Sequence, residues 1–249
     1  MTGRELTLTN AMKSLIIHMS SSIARRENAH RLLSALPDAR LVEAVDGRDP
    51  VQVEGVQVMP GTHLDPAYPF TLGPGEVGCF LSHRKCWQMI ADDKAPFALI
   101  AEDDLSIDPV IWPDVLKLIE RQAAEDSFIR IPAKNRETAA STIETQGSAS
   151  LFVPRVIGLQ TVCQVVGRGA AERLLAASET LDRPVDTFLQ MHWATGQTIR
   201  TILPNGVREL TAETGGSTIQ KKTRTSTKLM REIRRALYRA KVRQRPQRA

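Results

Sequence analysis

Apolar residues along this chain come in two alternating patterns. Short unbroken runs sit at 13–19 (KSLIIHM), 97–101 (FALIA), 128–131 (FIRI), 161–166 (TVCQVV) and 198–203 (TIRTIL). Such runs are what strands buried on both faces look like, and residues 39–47 (ARLVEAVDG) add a strand ending in an Asp-Gly turn. Between the runs the spacing turns helical. Residues 23–36 carry Ile23, Leu32, Leu33 and Leu36 on one face, with Ser20–Ser22 supplying an N-cap hydroxyl and Pro37 closing the C-terminal end. Residues 74–93 place Phe80, Leu81, Trp87 and Ile90 at helical intervals, and 169–181 do the same with Leu174, Leu175 and Leu181. A helix over 111–126 is expected to be interrupted near its start by Pro113. Residues 50–75 are rich in Pro and Gly and predict a loop holding one short strand. Strand, helix and strand in alternation predict one α/β domain over about 13–210, a mixed, mostly parallel sheet flanked by helices.

Composition narrows the class. The 249 residues are 42% hydrophobic and 24% charged, an ordinary balance for a soluble globular protein with a sizeable core. No apolar run approaches the roughly 18–20 residues a spanning helix needs. The first residues lack the apolar centre of a secretory signal, so export is not expected. Cys79, Cys86 and Cys163, without a CxxC pair, point to core residues in a reducing compartment and away from a disulfide framework or thiolate zinc site. The expected location is the cytoplasm.

Charge divides the chain in two. Residues 221–249 hold twelve Lys or Arg against the single acid Glu232, a net +11 that leaves residues 1–220 at −6 within the whole-chain +5. The division predicts a folded body over 1–220 and a basic tail over 221–249. Met230, Ile233, Leu237 and Ala240 recur at helical spacing among the arginines of that tail. A solvated helical extension, a disordered basic segment and an amphipathic helix lying on an anionic membrane all fit. The last is preferred, since each Lys or Arg near such a surface contributes roughly 1 kcal/mol, and it would place the protein peripherally at the inner face of the cytoplasmic membrane. No nucleic-acid partner is expected: the chain has eleven aromatics and no recognisable reading motif.

The run at 97–101 ends in Glu102, Asp103 and Asp104, three adjacent carboxylates with no basic residue within three positions. In open α/β sheets ligands bind at the carboxyl ends of strands. Acids there can hold a hard divalent ion, accept hydrogen bonds from sugar or ribose hydroxyls, or work as acid and base. The plain alternative is a solvated acidic turn, with Asp108 and Pro109 as helix-start chemistry.

Upstream lie Gly75, Glu76, Gly78, Cys79, Ser82 and His83, then Trp87, then ALIAEDD. This order and spacing resembles glycosyltransferase family 25, of the lipooligosaccharide β-galactosyltransferase type, whose members show G-E-x-G-C-x-x-S-H before a strand ending in E-D-D. Weaker likenesses cover LIIHMSSSIARR, where Arg25 and Arg26 fit an arginine pair and His18 stands in place of Asn. VCQVVGRGAAERLL has Cys163 where Tyr is common, and RPVDTFL supplies Asp186. The resemblance spans about 14–190, and beyond it only GGSTIQ aligns.

The resemblance implies a GT-A, Rossmann-like nucleotide-sugar-binding fold and inverting transfer of a hexose, typically galactose from UDP-galactose, to an acceptor sugar of lipopolysaccharide or a related glycan. It implies Asp104 as ligand to Mn²⁺ (or Mg²⁺), Asp103 on the ribose and Glu102 on the donor sugar. Asp186 would be the general base, or else an ordinary N-cap aspartate. Ser82 and His83, read as opening a helix, would meet the donor or serve locally as cap and packing. Arg25 and Arg26 would contact the nucleotide or form a surface pair, and His18 is a ligand or a satisfied core histidine. Two other classes remain. A Mg²⁺-dependent phosphotransfer domain explains the acids but leaves GEVGCFLSH without a role, and a catalytically inactive nucleotide- or glycan-binding relative is separated from an enzyme only by turnover.

Overall fold

A computed structural model gives the fold, and the structure describes residues 12–210 and 228–247. The N-terminal half runs β1 (Lys13–His18), α1 (Ile23–Ala35), β2 (Ala39–Glu43), β3 (Gln57–Val58), α2 (Pro74–Ala91), β4 (Phe97–Glu102), β5 (Leu105–Ile107) and α3 (Trp112–Gln122). Then come β6 (Phe128–Arg130), β7 (Ala139–Gln146), β8 (Ala149–Pro154), β9 (Cys163–Gly167), α4 (Arg168–Ala177) and β10 (Thr180–Leu181). The chain closes with α5 (Val185–Leu189), α6 (His192–Thr195), β11 (Arg200–Leu203), β12 (Val207–Glu209) and α7 (Lys228–Arg243).

Eight strands form one sheet in the order β2-β1-β4-β9-β6-β11-β8-β7. Following the pairings across it, β9 and β8 run against the other six, so the sheet is mixed with most strands in one direction. The chain leaves β1 toward β2 and then crosses to β4 on the other side, which makes the gap between the ends of β1 and β4 a topological switch point.

Side chains alternate across each strand, and the alternation sorts the core into two layers. Leu15 and Ile17 of β1, Ala98 and Ile100 of β4 and Val166 of β9 face α2 and α4, where Phe80, Trp87 and Leu174 meet them. Ile16, Leu99, Ala101 and Val165 face the other way, onto α1 and α3, where Leu32, Val115 and Ile119 close the second layer. Every one of these core side chains is buried, and this two-sided burial is why the strands read as continuous apolar runs.

Several local expectations are corrected. Ser22 is the N-cap of α1 but its hydroxyl makes no capping bond, and Ile23 is 76% exposed; the buried face is Asn28, Ala29 and Leu32. Pro113 does not interrupt α3: it falls in the first turn, where the missing N–H has no helical partner to lose. Residues 132–150 read from the sequence as loop, but 139–154 form the β7–β8 hairpin, closed at Gly147 with φ 55°. The short strand in 50–75 is β3, paired in parallel with β10.

The tail helix lies against the body. Tyr238 and Val242 are buried against Met191, with Leu64, Tyr68 and Trp193 packed around them. Gln247 then bonds like a strand residue: its amide oxygen accepts from the Ile199 N–H at 2.9 Å, and its Nε2 donates to the Ile199 and Pro154 carbonyls. Met230, Ile233 and Leu237, the stripe expected to be apolar, are on the exposed side.

Candidate active site

Strand alternation separates the three adjacent acids. Glu102 continues the face of Ala98 and Ile100 toward α2, while Asp103 continues the face of Leu99 and Ala101 toward α1. On the α1 side, Asp103 accepts from Arg25 Nη1 at 2.9 Å and is bonded to His18 Nδ1 at 2.7 Å, so both of its oxygens are engaged. Arg25 Nη2 lies 3.0 Å from Asp104 Oδ2, bridging the two aspartates. Asn28, one helical turn on, donates to the carbonyls of Asp103 and Leu105 and fixes the backbone of the turn. Burial works against the Arg25 charge, but Asp104 and Asp103 more than offset it and hold the guanidinium pKa above its ordinary value. Asp103 and Asp104 are only 4% and 5% exposed, which removes the solvated-turn reading.

On the α2 side, Gln164 Nε2 donates to His83 Nδ1 at 3.0 Å. On its other side, His83 Nε2 lies 3.1 Å from Glu102 Oε1 and donates to it. Thr161 Oγ1 donates to the same oxygen at 2.9 Å. Burial alone would raise the Glu102 carboxyl; the bonds from His83 and Thr161, with the Arg25 charge, bring it below the ordinary glutamate value instead.

Ser82 and His83 do not open a helix. Helix α2 begins at Pro74, with the Gly73 N–H held by Glu76 at 2.7 Å, so the free N–H groups belong eight residues earlier. Ser82 is buried and local: its hydroxyl donates to the Gly78 carbonyl and accepts from the Val45 N–H. Gly78 lets that turn of α2 approach the 45–47 loop, since a Cβ there would stand 2.5 Å from the Val45 carbonyl. Arg26 lies outside the cluster, exposed and reaching the Ser20 carbonyl.

Asp186 is not an N-cap either, because Pro184 holds that position and Asp186 falls in the first turn of α5. Its Oδ2 accepts the Gln160 N–H at 3.2 Å and its Oδ1 the Thr187 hydroxyl at 3.1 Å. Gln160 has φ 83°, a left-handed conformation that costs a non-glycine residue about 1–3 kcal/mol. It is held from three sides, by Asp186 at its N–H, by Arg130 at its carbonyl and by Glu209 at its side-chain amide. Thr161, which bonds Glu102, follows directly, so this strained turn lies between Asp186 and Glu102. Sequence reasoning did not find Asn28, Gln160, Thr161 or Gln164; Gln164, a lone amide inside the apolar run TVCQVV, was the one with a visible signal.

The chain's match to the family model described as glycosyltransferase family 25 (LPS biosynthesis protein) covers residues 11–189. The chain belongs to glycosyltransferase family 25. Among its family 25 relatives, a Drosophila melanogaster glycosyltransferase 25 family member is 30% identical over 187 residues, 71% of this chain and 30% of the relative. Procollagen galactosyltransferase 1 of Danio rerio is 28% identical over 186 residues, 70% of this chain and 30% of the relative. The human inactive glycosyltransferase 25 family member 3 is 32% identical over 181 residues, covering 68% of this chain and 30% of the relative. The chain thus spans about three-tenths of the length of these curated relatives, which include galactosyltransferases and proteins named inactive.

Among the described residues, one cluster of side chains brings three ligand atoms together closely enough to hold a metal. Ligand atoms of Cys79, His83 and Glu102 lie within 4.8 Å of one another. Burial, then the Glu102 charge, raises the Cys79 thiol well above its ordinary value, so it is not a ready thiolate. The buried Asp103–Asp104 turn offers hard oxygen instead, which fits Mn²⁺ or Mg²⁺.

Proposed function

We propose that this family 25 chain is an inverting hexosyltransferase that moves galactose from UDP-galactose to a sugar of lipopolysaccharide, lipooligosaccharide or a related bacterial glycan. The observation that carries the reading is the set of acids at the β1–β4 switch point, divided by the pleat and oriented by Arg25, His18 and His83. Asp104 would hold Mn²⁺ or Mg²⁺, which supplies positive charge for the diphosphate as it leaves. Asp103 keeps spare lone pairs on oxygens fixed by His18 and Arg25, suited to ribose hydroxyls. Glu102, ionised and aimed by His83 and Thr161, accepts from the hydroxyls of the donor sugar. Asp186 takes the proton of the attacking acceptor hydroxyl, and its contacts with Gln160 and Thr187 set its direction.

The reading extends to location. Among the described residues no helix is long and apolar enough to cross a membrane. The exposed Met230, Ile233 and Leu237, set among arginines, suit a peripheral position on an anionic cytoplasmic membrane face. Co-flotation with anionic but not neutral vesicles is expected, and equal recovery with both would overturn that part.

Thermal unfolding with UDP, GDP, CMP and ADP, each with and without Mn²⁺, tests the function. Ligand at about a hundred times its Kd stabilises by roughly 2.7 kcal/mol, so UDP with Mn²⁺ should raise the midpoint and the other nucleotides should not. Asp104→Ala should abolish the response and keep the cooperative transition. An undiminished response in that variant removes Asp104 as the ligand. No response to any nucleotide aligns the chain with the relatives named inactive.

A further inference from the structure

A cavity of about 570 Å³ lies between α7 and the body, walled by the 130–138 turn, the 156–160 loop and one ridge of α7. Its charge is one-sided. Lys134, Arg136, Arg235, Arg239 and Arg243 line it alongside Arg130, and among the described residues the single lining acid is Glu137. That acid is spent, because Glu137 and Arg130 form a buried ion pair. Lys134 lies 3.5 Å from Glu209, and Arg235 pairs with Glu232 and sits 5.5 Å above the Phe70 ring. Arg136, Arg239 and Arg243 have no carboxylate within ion-pair distance among the described residues.

Arg235, Arg239 and Arg243 are four residues apart and therefore stack along one ridge of the helix. Like charges at this spacing oppose the helix, a cost that an anion in the cavity would offset. Aromatic rings also border the cavity. Tyr68 stands edge-on to Phe70 and to Tyr238, the latter on α7 itself, with centroids 5.5 Å apart in both pairs, and such rings can pack the apolar face of a pyranose. The cavity also adjoins the proposed base, since Gln160 and Thr187, the two residues that bond Asp186, line it.

We propose that this cavity binds the acceptor, and that the acceptor is an anionic saccharide whose phosphate or carboxylate is read by Arg136, Arg239 and Arg243. The proposal rests on the transferase reading above, and it assigns α7 a part in acceptor choice that no catalytic carboxylate supplies.

Isothermal titration of the full chain with a hexose 6-phosphate, a hexuronic acid, an uncharged hexose and inorganic phosphate tests it. The Arg239→Gln/Arg243→Gln variant, whose altered side chains are exposed, is titrated beside the wild type, and UDP with Mn²⁺ is titrated into both. The anionic saccharides should bind the wild type more tightly than the uncharged hexose, and at least tenfold more weakly to the variant. Whichever of the two binds tighter identifies the anionic group. UDP with Mn²⁺ should bind both proteins alike. Equal binding of charged and uncharged sugars, or anion binding unchanged in the variant, overturns the proposal. Inorganic phosphate binding as tightly as the hexose phosphate overturns its saccharide part. UDP affinity lost only in the variant would make the cavity a diphosphate pocket and overturn the acceptor assignment. UDP failing on the wild type while anionic sugars still select the arginines would remove the transferase reading and leave the anion site standing.

Discussion

Replacing Arg183 with Met should destabilise the protein more than any change at an exposed arginine. Arg183 is fully buried. It forms a two-pronged pair with Asp182, Nε to Oδ1 at 2.7 Å and Nη2 to Oδ2 at 2.8 Å. It also donates to the Leu64 carbonyl at 2.8 Å, the Pro66 carbonyl at 3.2 Å and the Tyr238 hydroxyl at 3.2 Å, tying the 64–66 loop, the lead into α5 and the tail helix together. Methionine fills similar space and donates nothing. Asp182, 3% exposed, would keep only the Leu64 N–H at 3.1 Å. Removing one partner of a buried pair costs about 3–5 kcal/mol, chiefly from the charge left behind. For a domain of this size that is a midpoint lower by on the order of 10 °C. Urea unfolding followed by circular dichroism measures the loss. Asp182→Asn in the same chain removes the stranded charge, so the double variant should recover part of the stability. A loss below about 1 kcal/mol, or a double variant no better than the single one, would refute the assignment of Arg183 as an electrostatic hub.

Two further outcomes follow from the site's surroundings. Gly78→Ala should cost about 1–3 kcal/mol in chemical unfolding, because its Cβ would meet the Val45 carbonyl and the Gly47 nitrogen, backbone atoms that cannot turn aside; a neutral result would mean α2 can slide on the 45–47 loop. The Glu102 carboxyl is held below its ordinary 4.5, so its contribution is complete above that pH and is lost as pH falls through the lower folded-state value. Urea midpoints at neutral pH and well below 4.5 should therefore differ less in Glu102→Gln than in the wild type, and identical acid sensitivity would exclude Glu102 as a source.

The fold was legible where burial is two-sided. Runs such as FALIA and TVCQVV became β4 and β9 because both of their faces are covered. The β7–β8 hairpin was not legible, because β7 is an edge strand of sequence AASTIETQ with no buried residue in it and so no apolar rhythm to detect. Pro113 misled because its effect depends on position: inside a helix it breaks a bond, and in the first turn it breaks none. The acids were legible as a cluster. Their partners were not, because Asn28, Thr161 and Gln164 are polar residues of common type whose meaning comes from what lies across the sheet.

The crowding of Glu102, Asp103 and Asp104 also has a physical resolution. On a line of sequence they are adjacent negative charges, but at the end of a pleated strand neighbours point to opposite faces. Glu102 meets His83 and Thr161 on the α2 side, and Asp103 meets His18 and Arg25 on the α1 side. Asp104, one residue into the turn, shares the Arg25 guanidinium with Asp103. Arg25 thus serves two carboxylates, while the third acid is held by His83, by Thr161 and by that same nearby charge. The three acids thus gather carboxylate oxygens at the switch point, donors that suit a ligand bringing cationic charge. The basic cavity beside α7 has the opposite bias. A transferase built on these two sites would draw the metal-bearing end of its donor to one and the anionic end of its acceptor to the other, with Asp186 and the strained Gln160 turn between them.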